Sequence, residues 1–308
     1  MGHTSGHIPV LYDEVLSLLA PKPGGSYLDC TVGAGGHTAG ILEQSAPSGR
    51  VLALDRDPEA AEFARRRLAH FGERVIVVNV NYADMADAAS SHGFNKFDGI
   101  LMDLGLSSRQ LADRARGFSF MNEGPLDMRF NPTQGQTAAD LVNTLPEEAL
   151  ADIFWRFGEE KQSRRLAKLI VKNRPFFTTT ALAAFIAKHS RQRGRIHPAT
   201  KIFQALRIAT NDELAAVEKG LETAVTLLKP GGRLAVISFH SLEDRLVKQF
   251  MRRLSKAPDP NIVGWTAHDA WQPTLKLITR KAVQASDAEI ENNPRSRSAR
   301  LRVAEKIK

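Results

Sequence analysis

Two acidic residues flank a glycine-rich turn near the start of the chain. Asp29 precedes the turn, which spans residues 33–37 (Gly-Ala-Gly-Gly-His), and Asp55 follows Gly36 by 19 residues. A glycine turn before a helix can direct backbone N–H groups at a ligand, and an acid about 20 residues later can hold the hydroxyls of a ribose. This spacing therefore indicates a site for an adenosine-containing cofactor.

Two classes of cofactor fit such a turn, and the neighbouring residues distinguish them. A dinucleotide fingerprint has a third glycine where this chain has Thr38, and a pyrophosphate favours a helix N-terminus with no acid beside it. Asp29 would repel a pyrophosphate but could hold the ammonium group of an amino acid. We therefore predict S-adenosylmethionine as the cofactor. A turn that only packs would explain the glycines but not the two acids.

The elements that must position this site read as alternating strands and helices. Short apolar runs predict five strands, at residues 27–29, 50–54, 75–78, 97–103 and 233–239. Alternation of this kind predicts an α/β fold, a doubly wound Rossmann-like sheet that binds ligands at the carboxyl ends of its strands. Two late runs, residues 275–283 and 299–304, fit a terminal antiparallel pair.

More than 100 residues separate the fourth predicted strand from the fifth, whereas neighbouring βαβ units join their strands with about 30. The intervening apolar residues have helical spacing. Residues 109–211 contain 17 basic and 9 acidic side chains, and within them residues 161–207 have 12 Lys and Arg and no acid. We expect an inserted, basic, all-helical domain at 109–211 that meets a phosphate backbone, and a cofactor-binding domain formed by residues 1–108 and 212–308.

Composition excludes several classes of protein. The only cysteine, Cys30, rules out a disulfide framework and a thiolate zinc cluster, and we expect no metal site. No apolar run approaches the ~18 residues that a membrane-spanning helix needs. The first five residues have no basic and apolar signal regions, which predicts a cytoplasmic protein without a membrane partner.

A polar, turn-rich passage follows the fourth predicted strand. Arg116 and Phe118 lie in its first half, and Asp127 and Arg129 in its second. Aromatic side chains mixed with arginines could stack an unpaired base and hold its phosphates, so Arg116 and Phe118 are candidate substrate-binding residues. The alternative is a plain linker between domains, which would not need this composition.

Several motifs together resemble one family, over nearly the whole chain. They are residues 7–11, 29–37, 55–58, 102–105, 116–120, 124–129, 197–200, 238–244 and 293–295. The chain resembles the bacterial small-subunit ribosomal RNA cytosine-N4 methyltransferases. The glycine turn alone is weak support for this resemblance, whereas the passage from residue 116 to 129 is highly specific.

The resemblance implies a class I methyltransferase that uses S-adenosylmethionine to methylate the exocyclic amine of a cytosine in the decoding region of small-subunit ribosomal RNA. It also implies a helical domain inserted in the methyltransferase fold and, as the partner, the small ribosomal subunit. Carried over by position, the residues that contact the cofactor are Gly35, Gly36, His37, Asp55, Tyr82, Asp103 and Gln110.

Asp103 is the best-placed acid for catalysis, because a carboxylate that accepts an N–H bond from the cytosine amine can also take up its proton. Many amino-methyltransferases have an Asp/Asn-Pro-Pro-aromatic tetrad here, whereas this chain has Asp-Leu-Gly-Leu at 103–106. Asp103 could therefore serve the cofactor only. Asp127, Arg129 and His240 are further candidates for holding the base, and His240 could equally cap a helix.

Two other functions stay open at this point. A DNA amino-methyltransferase would share the chemistry and differ in its substrate. A non-catalytic RNA-binding protein would account for the basic residues but not for the cofactor turn.

Overall fold

The computed structural model describes residues 9–191, 194, 197–256 and 272–308. Two compact units make up the chain. The first unit combines Met1–Gly105 with Ala216–Lys308, and the second unit is Leu106–Ala215. Within the described residues, no helix has the length and apolar character that crossing a membrane requires.

A seven-stranded sheet forms the centre of the first unit. Its strands are β1 (Ser26–Asp29), β2 (Arg50–Asp55), β3 (Val75–Asn79), β4 (Phe97–Asp103), β5 (Leu228–Ser238), β6 (Leu275–Leu277) and β7 (Arg300–Lys306). The order is β3-β2-β1-β4-β5-β7-β6, with β1 to β5 parallel and β7 antiparallel to both β5 and β6. This topology confirms the predicted α/β class and the predicted terminal antiparallel pair.

Two strand boundaries differ from the sequence prediction, since the run predicted at 275–283 forms a strand only over Leu275–Leu277 and the fifth strand begins earlier than predicted. Strand β5 begins at Leu228 and not at Arg233, because Leu228 already pairs with Phe97 before the register shifts and Arg233 pairs with Gly99. The intervening residues 229–232, Lys-Pro-Gly-Gly, are breaker residues that follow the helix ending at Leu227. The breaker residues thus form an irregularity inside a strand pair.

Both faces of the sheet are buried, as expected for parallel strands. Successive residues of a strand point to opposite faces, and accordingly Leu28 and Ile100 belong to one hydrophobic cluster while Tyr27 and Leu101 belong to the other. The helices of the first unit are α1 (Tyr12–Leu19), α2 (Gly36–Gln44), α3 (Pro58–Leu68), α4 (Met85–Ser91), α12 (Ser241–Ser255) and α13 (Asp287–Asn292), together with most of α11 (Glu213–Leu227), whose first three residues belong to the second unit.

The second unit is helical, as the spacing of its apolar residues predicted. Its helices are α5 (Ser108–Ala112), α6 (Ala138–Thr144), α7 (Glu147–Gly158), α8 (Ser163–Asn173), α9 (Thr179–His189) and α10 (Ala199–Asn211). Phe154, Leu166, Leu182 and Leu206 are fully or almost fully buried in one cluster that includes all of these helices except α5. Arg193 and Arg195 of the basic run lie outside the described residues.

A buried asparagine at the end of α10 holds the passage that links α5 to α6. Asn211 is 2% exposed. Its Oδ1 accepts a hydrogen bond from the backbone N–H of Phe130 at 2.8 Å, and its Nδ2 donates to the carbonyls of Met128 and Arg207 at 2.7 and 2.9 Å. A side chain that satisfies several buried backbone groups is costly to remove, because those groups lose their partners.

We expect Asn211→Ala to lower the free energy of unfolding by about 1–3 kcal/mol, since it leaves buried backbone groups of residues 128 and 130 without their partner. Urea denaturation followed by circular dichroism measures the change. Asn173→Ala is the control, because the Asn173 amide donates to a single carbonyl at an exposed helical position, and it should change stability by less than about 0.5 kcal/mol. Equal effects of the two substitutions would contradict the role given to Asn211.

Candidate cofactor site at the sheet edge

Three aspartates end three adjacent strands of the sheet. Asp29, Asp55 and Asp103 are the last residues of β1, β2 and β4, and β1 lies between the other two. The register aligns Asp29 with Ala53 and with Leu101. Asp55 and Asp103 therefore extend two residues further along the strand direction than Asp29, about 6.6 Å at 3.3 Å per residue. The turn between β1 and α2 begins in the space that this stagger creates.

The turn is attached to all three aspartates by hydrogen bonds. The backbone N–H of Thr31 donates to Asp29 Oδ1 at 3.1 Å, and that of Gly33 donates to Asp55 Oδ2 at 2.8 Å. The backbone N–H of Asp103 donates to Thr31 Oγ1 at 2.7 Å. The three strand ends thus determine the conformation of the turn.

Asp29 is a structural member of this group, and its carboxylate is buried. It is 1% exposed, and its Oδ2 accepts a 2.6 Å hydrogen bond from the hydroxyl of Thr38. Because its carboxylate is almost fully enclosed by protein, direct contact of Asp29 with an ammonium group stays a prediction that its burial disfavours. Thr38, which breaks the dinucleotide fingerprint, is thus a donor to Asp29.

Glycine is required at the two central positions of the turn for different physical reasons. Gly35 has φ of 79°, in the left-handed region that favours glycine, and it is the N-cap of α2. Gly36 is confined by Pro9, because a Cβ at residue 36 would lie 2.4 Å from Pro9 Cγ. Contact of either glycine with the cofactor stays a prediction.

His37 lies at the start of α2 with its ring buried and stacked on Tyr12. Its Nε2 is 3.0 Å from the carbonyl oxygen of Val10, and its Nδ1 is 3.8 Å from Asp103 Oδ2. The side chain of Asp103 is 25% exposed, yet its Oδ1 is buried and has no hydrogen-bond partner in the described part of the chain. This oxygen is an acceptor that a cationic or N–H-bearing ligand group would satisfy.

Burial raises the pKa of all three carboxyl groups: of Asp29 to about 6, of Asp55 to about 7 and of Asp103 to about 8. The charge of Asp29 further raises the pKa of the other two, whereas Arg295 acts on Asp103 in the opposite direction. Carboxylates crowded together in a buried site repel one another, and a bound cation relieves that repulsion. The site is therefore suited to a positively charged ligand.

Tyr82 follows β3 at the same edge of the sheet. Its ring lies across Gly220 of α11, where a Cβ would be 2.9 Å from Tyr82 Cδ2. The backbone N–H of Val80 donates to the carbonyl of Asp55 at 2.9 Å, which joins this segment to the end of β2. A role of Tyr82 beside the adenine stays a prediction.

In the second unit, two predicted site residues build the loop that carries them. Gln110 completes a capping box with Ser107: its backbone N–H donates to Ser107 Oγ, and its Oε1 accepts from the backbone N–H of Ser107. Arg116 is 7% exposed and donates through Nη2 to the carbonyls of Arg129 and Phe130, at 3.1 and 2.7 Å. Their contacts with cofactor and substrate stay predictions.

The remaining loop candidates are also engaged within the second unit. Phe118 is buried against Phe130, with ring centroids 5.5 Å apart. Arg129 binds Asp127 through two hydrogen bonds of 2.7 and 2.9 Å, and this pairing raises the pKa of the arginine. Between them Met128 has φ of 64°, a strained conformation of the kind that concentrates at functional sites.

His240 is the N-cap of α12. Its Nδ1 accepts from the backbone N–H of Glu243 at 3.4 Å, and Glu243 Oε2 accepts from the backbone N–H groups of Phe239 and His240 at 2.9 and 3.2 Å. The other ring nitrogen lies 3.1 Å from Glu243 Oε1. The capping alternative is confirmed, and a role in holding the base stays a prediction.

The family model described as the MraW methylase family matches residues 4–307. The chain belongs to this family. Ribosomal RNA small subunit methyltransferase H of Thermomicrobium roseum is 54% identical over 308 residues, which cover 98% of this chain and 94% of that protein. The protein of the same name from Dehalococcoides mccartyi is 51% identical over 305 residues, covering 98% and 86%. A solved rRNA methylase structure from Streptococcus thermophilus has a TM-score of 0.41 and 11% identity, covering 96% of this chain and 94% of that one.

Membership in the MraW methylase family confirms the predicted family. The protein is a methyltransferase, and its cofactor is S-adenosylmethionine, as the glycine turn and its acids indicated. Three residues that organise this site were given no role in it from the sequence. The hydroxyl of Thr31 accepts from the backbone N–H of Asp103, and the hydroxyl of Thr38 donates to Asp29. Arg295 favours the ionised form of Asp103. Thr31 and Arg295 lie inside motifs that carry the family resemblance, which is the signal that could have identified them.

We expect Asp103→Asn to stabilise the cofactor-free protein, and the gain should grow as the pH rises from about 4 to about 8. In that window the folded protein holds a proton on Asp103 that the unfolded chain has lost, so wild-type stability falls as the pH increases. Asparagine cannot ionise and removes this dependence. Urea midpoints measured across the window test the prediction, with Asp87→Asn at an exposed helical position as the control. A gain that is constant with pH would contradict it.

Proposed function

We propose that this methyltransferase transfers a methyl group from S-adenosylmethionine to the N4 amine of a cytosine in small-subunit ribosomal RNA. The observation that carries the cofactor side is the group of three strand-end aspartates, with one buried oxygen of Asp103 lacking a partner among the described residues. S-adenosylmethionine has two cationic centres, an ammonium and a sulfonium. The relatives named for ribosomal RNA, which match nearly the whole chain, support the substrate side.

Asp55 and Asp103 would hold opposite ends of the cofactor. Asp55 uses one lone pair of each carboxylate oxygen for the backbone N–H groups of Gly33 and Asp57. An ionised carboxylate has about four acceptor positions, so both oxygens can still accept from ribose hydroxyls. Asp103, whose Oδ1 has an open acceptor position, is suited to the methionine end.

The cofactor supplies an electrophilic methyl group when bound, and the chain's residues must align and activate the amine. The lone pair of the cytosine amine is delocalised into the ring, which makes it a weak nucleophile. A carboxylate that accepts an N–H bond localises that pair and takes up the proton after transfer. We assign this role to Oδ2 of Asp103, since Oδ1 is the oxygen that would hold the methionine end of the cofactor.

The position of Cys30 favours an exocyclic amine over the ring carbon as the acceptor. Methylation at C5 of cytosine uses a thiolate that attacks C6, whereas Cys30 is 1% exposed and burial raises the pKa of its thiol. We further propose that residues 109–211 recognise the RNA and that residues 1–108 and 212–308 carry the chemistry. The excess of 17 basic over 9 acidic residues in 109–211 supports this division.

Asp55→Ala should weaken S-adenosylmethionine binding by about 1.5–3 kcal/mol, the range for hydrogen bonds to a charged group. Isothermal titration calorimetry measures the affinity, and circular dichroism checks the fold. Asp55→Asn should lower the stability of the fold less than Asp55→Ala, because asparagine keeps one acceptor oxygen for the turn. Unchanged affinity in folded Asp55→Ala protein would remove Asp55 from the site.

Purified protein with methyl-labelled S-adenosylmethionine should label the RNA of small ribosomal subunits, and nuclease digestion should release N4-methylcytidine. The amine can be reached only in an unpaired or flipped base, so folded ribosomal RNA should be a better substrate than duplex DNA. Release of 5-methylcytidine, or labelling of DNA alone, would show that the proposed function is wrong.

A further inference from the structure

A cleft of about 970 Å³ in the second unit lies between α7 and the beginning of α8. Glu148, Asp152 and Trp155 line one wall, and Lys161 and Arg164 line the other. The three α7 residues are spaced by four and three positions, which places them on one face of the helix. The cleft therefore has an aromatic side chain at one end of an otherwise charged groove.

Trp155 is 58% exposed, although α7 already buries Leu150 and Phe154 completely. The apolar face of α7 is thus already packed against the core of the second unit, and Trp155 lies outside that face. An exposed tryptophan offers a large flat surface on which an unpaired base can stack, and stacking of this kind is tolerant of base identity.

The charge of the cleft changes along its length. Lys161 and Arg164 are exposed, and neither forms an ion pair in the parts of the chain that the structure describes. Asp152 is already paired with Arg156 at 3.3 Å. Glu148 is seven residues before Trp155 in the helix, about 10.5 Å away at 1.5 Å per residue. Glu147 and Glu148 lie at the beginning of α7, whereas Trp155 lies near its end, after which Lys161 and Arg164 follow, and we call this side of the cleft its cationic end.

The cationic end is joined to the start of the arginine-rich segment that follows α9. Arg165 Nη1 donates to Gln162 Oε1 at 3.3 Å and to the carbonyl of His189. Gln162 Oε1 also accepts from the backbone N–H of Arg191 at 3.2 Å. Arg165 and Arg191 therefore add positive charge on this side of the cleft.

We propose that the cleft binds one unpaired nucleotide of the RNA substrate, other than the cytosine that is methylated. Its base stacks on Trp155, and its flanking phosphates contact Lys161 and Arg164. Glu148 repels phosphate at the opposite end and so directs the strand toward Arg165 and Arg191. This inference rests on the proposed function and deepens it, because it assigns a place on the second unit to the RNA.

The test is fluorescence anisotropy with a short, unstructured, dye-labelled RNA oligonucleotide. Trp155→Ala should weaken binding about tenfold, within the range for loss of one base–aromatic stack, and Trp155→Phe should restore most of it. The double substitution Lys161→Ala and Arg164→Ala should reduce the log–log salt slope by about 1.4, or 0.7 for each lost phosphate contact on a single strand. Lys172→Ala, an exposed lysine of α8 outside the cleft, is the matched control and should leave affinity and slope close to wild type.

A second measurement locates the base. Oligonucleotide that contains 4-thiouridine should crosslink on irradiation to the peptide that includes Trp155. S-adenosylmethionine affinity should be unchanged in every variant, which separates loss of RNA contact from damage to the cofactor site.

Three results would overturn the proposal. The proposal is wrong if Trp155→Ala protein binds the oligonucleotide as tightly as wild type. It is also wrong if the crosslinks map only to other peptides. Slower methylation of small subunits by the variants, with unchanged oligonucleotide affinity, would mean that the cleft contacts a ribosomal protein. Wild-type protein that methylates no RNA would instead count against the proposed function, since the anisotropy and crosslinking results do not depend on turnover.

Discussion

The site depends on the burial of three carboxyl groups at the ends of neighbouring strands. Parallel strands that end at the same edge bring Asp29, Asp55 and Asp103 together, and the stagger of two residues leaves space for the turn between β1 and α2. Each aspartate makes a hydrogen bond to that turn through its carboxylate or its backbone N–H. The arrangement places negative charge where it is poorly solvated, which is unfavourable in the free protein and becomes favourable when a cation binds.

The division of labour among these acids follows from their depth. Asp29 is enclosed and satisfied by Thr31 and Thr38, so it contributes a shaped turn and a charge. Asp55 and Asp103, which extend further, retain acceptor capacity toward the edge. A dinucleotide would bring a pyrophosphate to this position, and the same aspartates would repel it. One set of residues therefore favours S-adenosylmethionine and disfavours a dinucleotide.

Much of this could be predicted from the sequence, because alternation of apolar runs and the acid after the turn are local signals. The sequence did not show why particular residues occupy their positions. Gly36 is small because of Pro9, which is distant from it in the sequence, and Phe118 is buried in a loop that has no periodicity to indicate which side faces the core. Strand β5 extends back to Leu228 because pairing with Phe97 overrides the breaker residues. In each of these three cases a tertiary contact determines the local structure, and a pattern in one sequence does not reveal that contact.

The backbone N–H of Leu11 donates to Glu289 Oε1 at 2.7 Å across 278 residues of sequence, and Arg295 near the same end of the chain acts on Asp103. The second unit, by contrast, is one continuous segment. During synthesis, the second unit can therefore fold while the first is still missing β5, β6 and β7, because domains fold as units as they emerge. The groups that act on Asp103 are all present only after residue 295 has left the ribosome, so the inserted segment can fold before the strand-end site is complete.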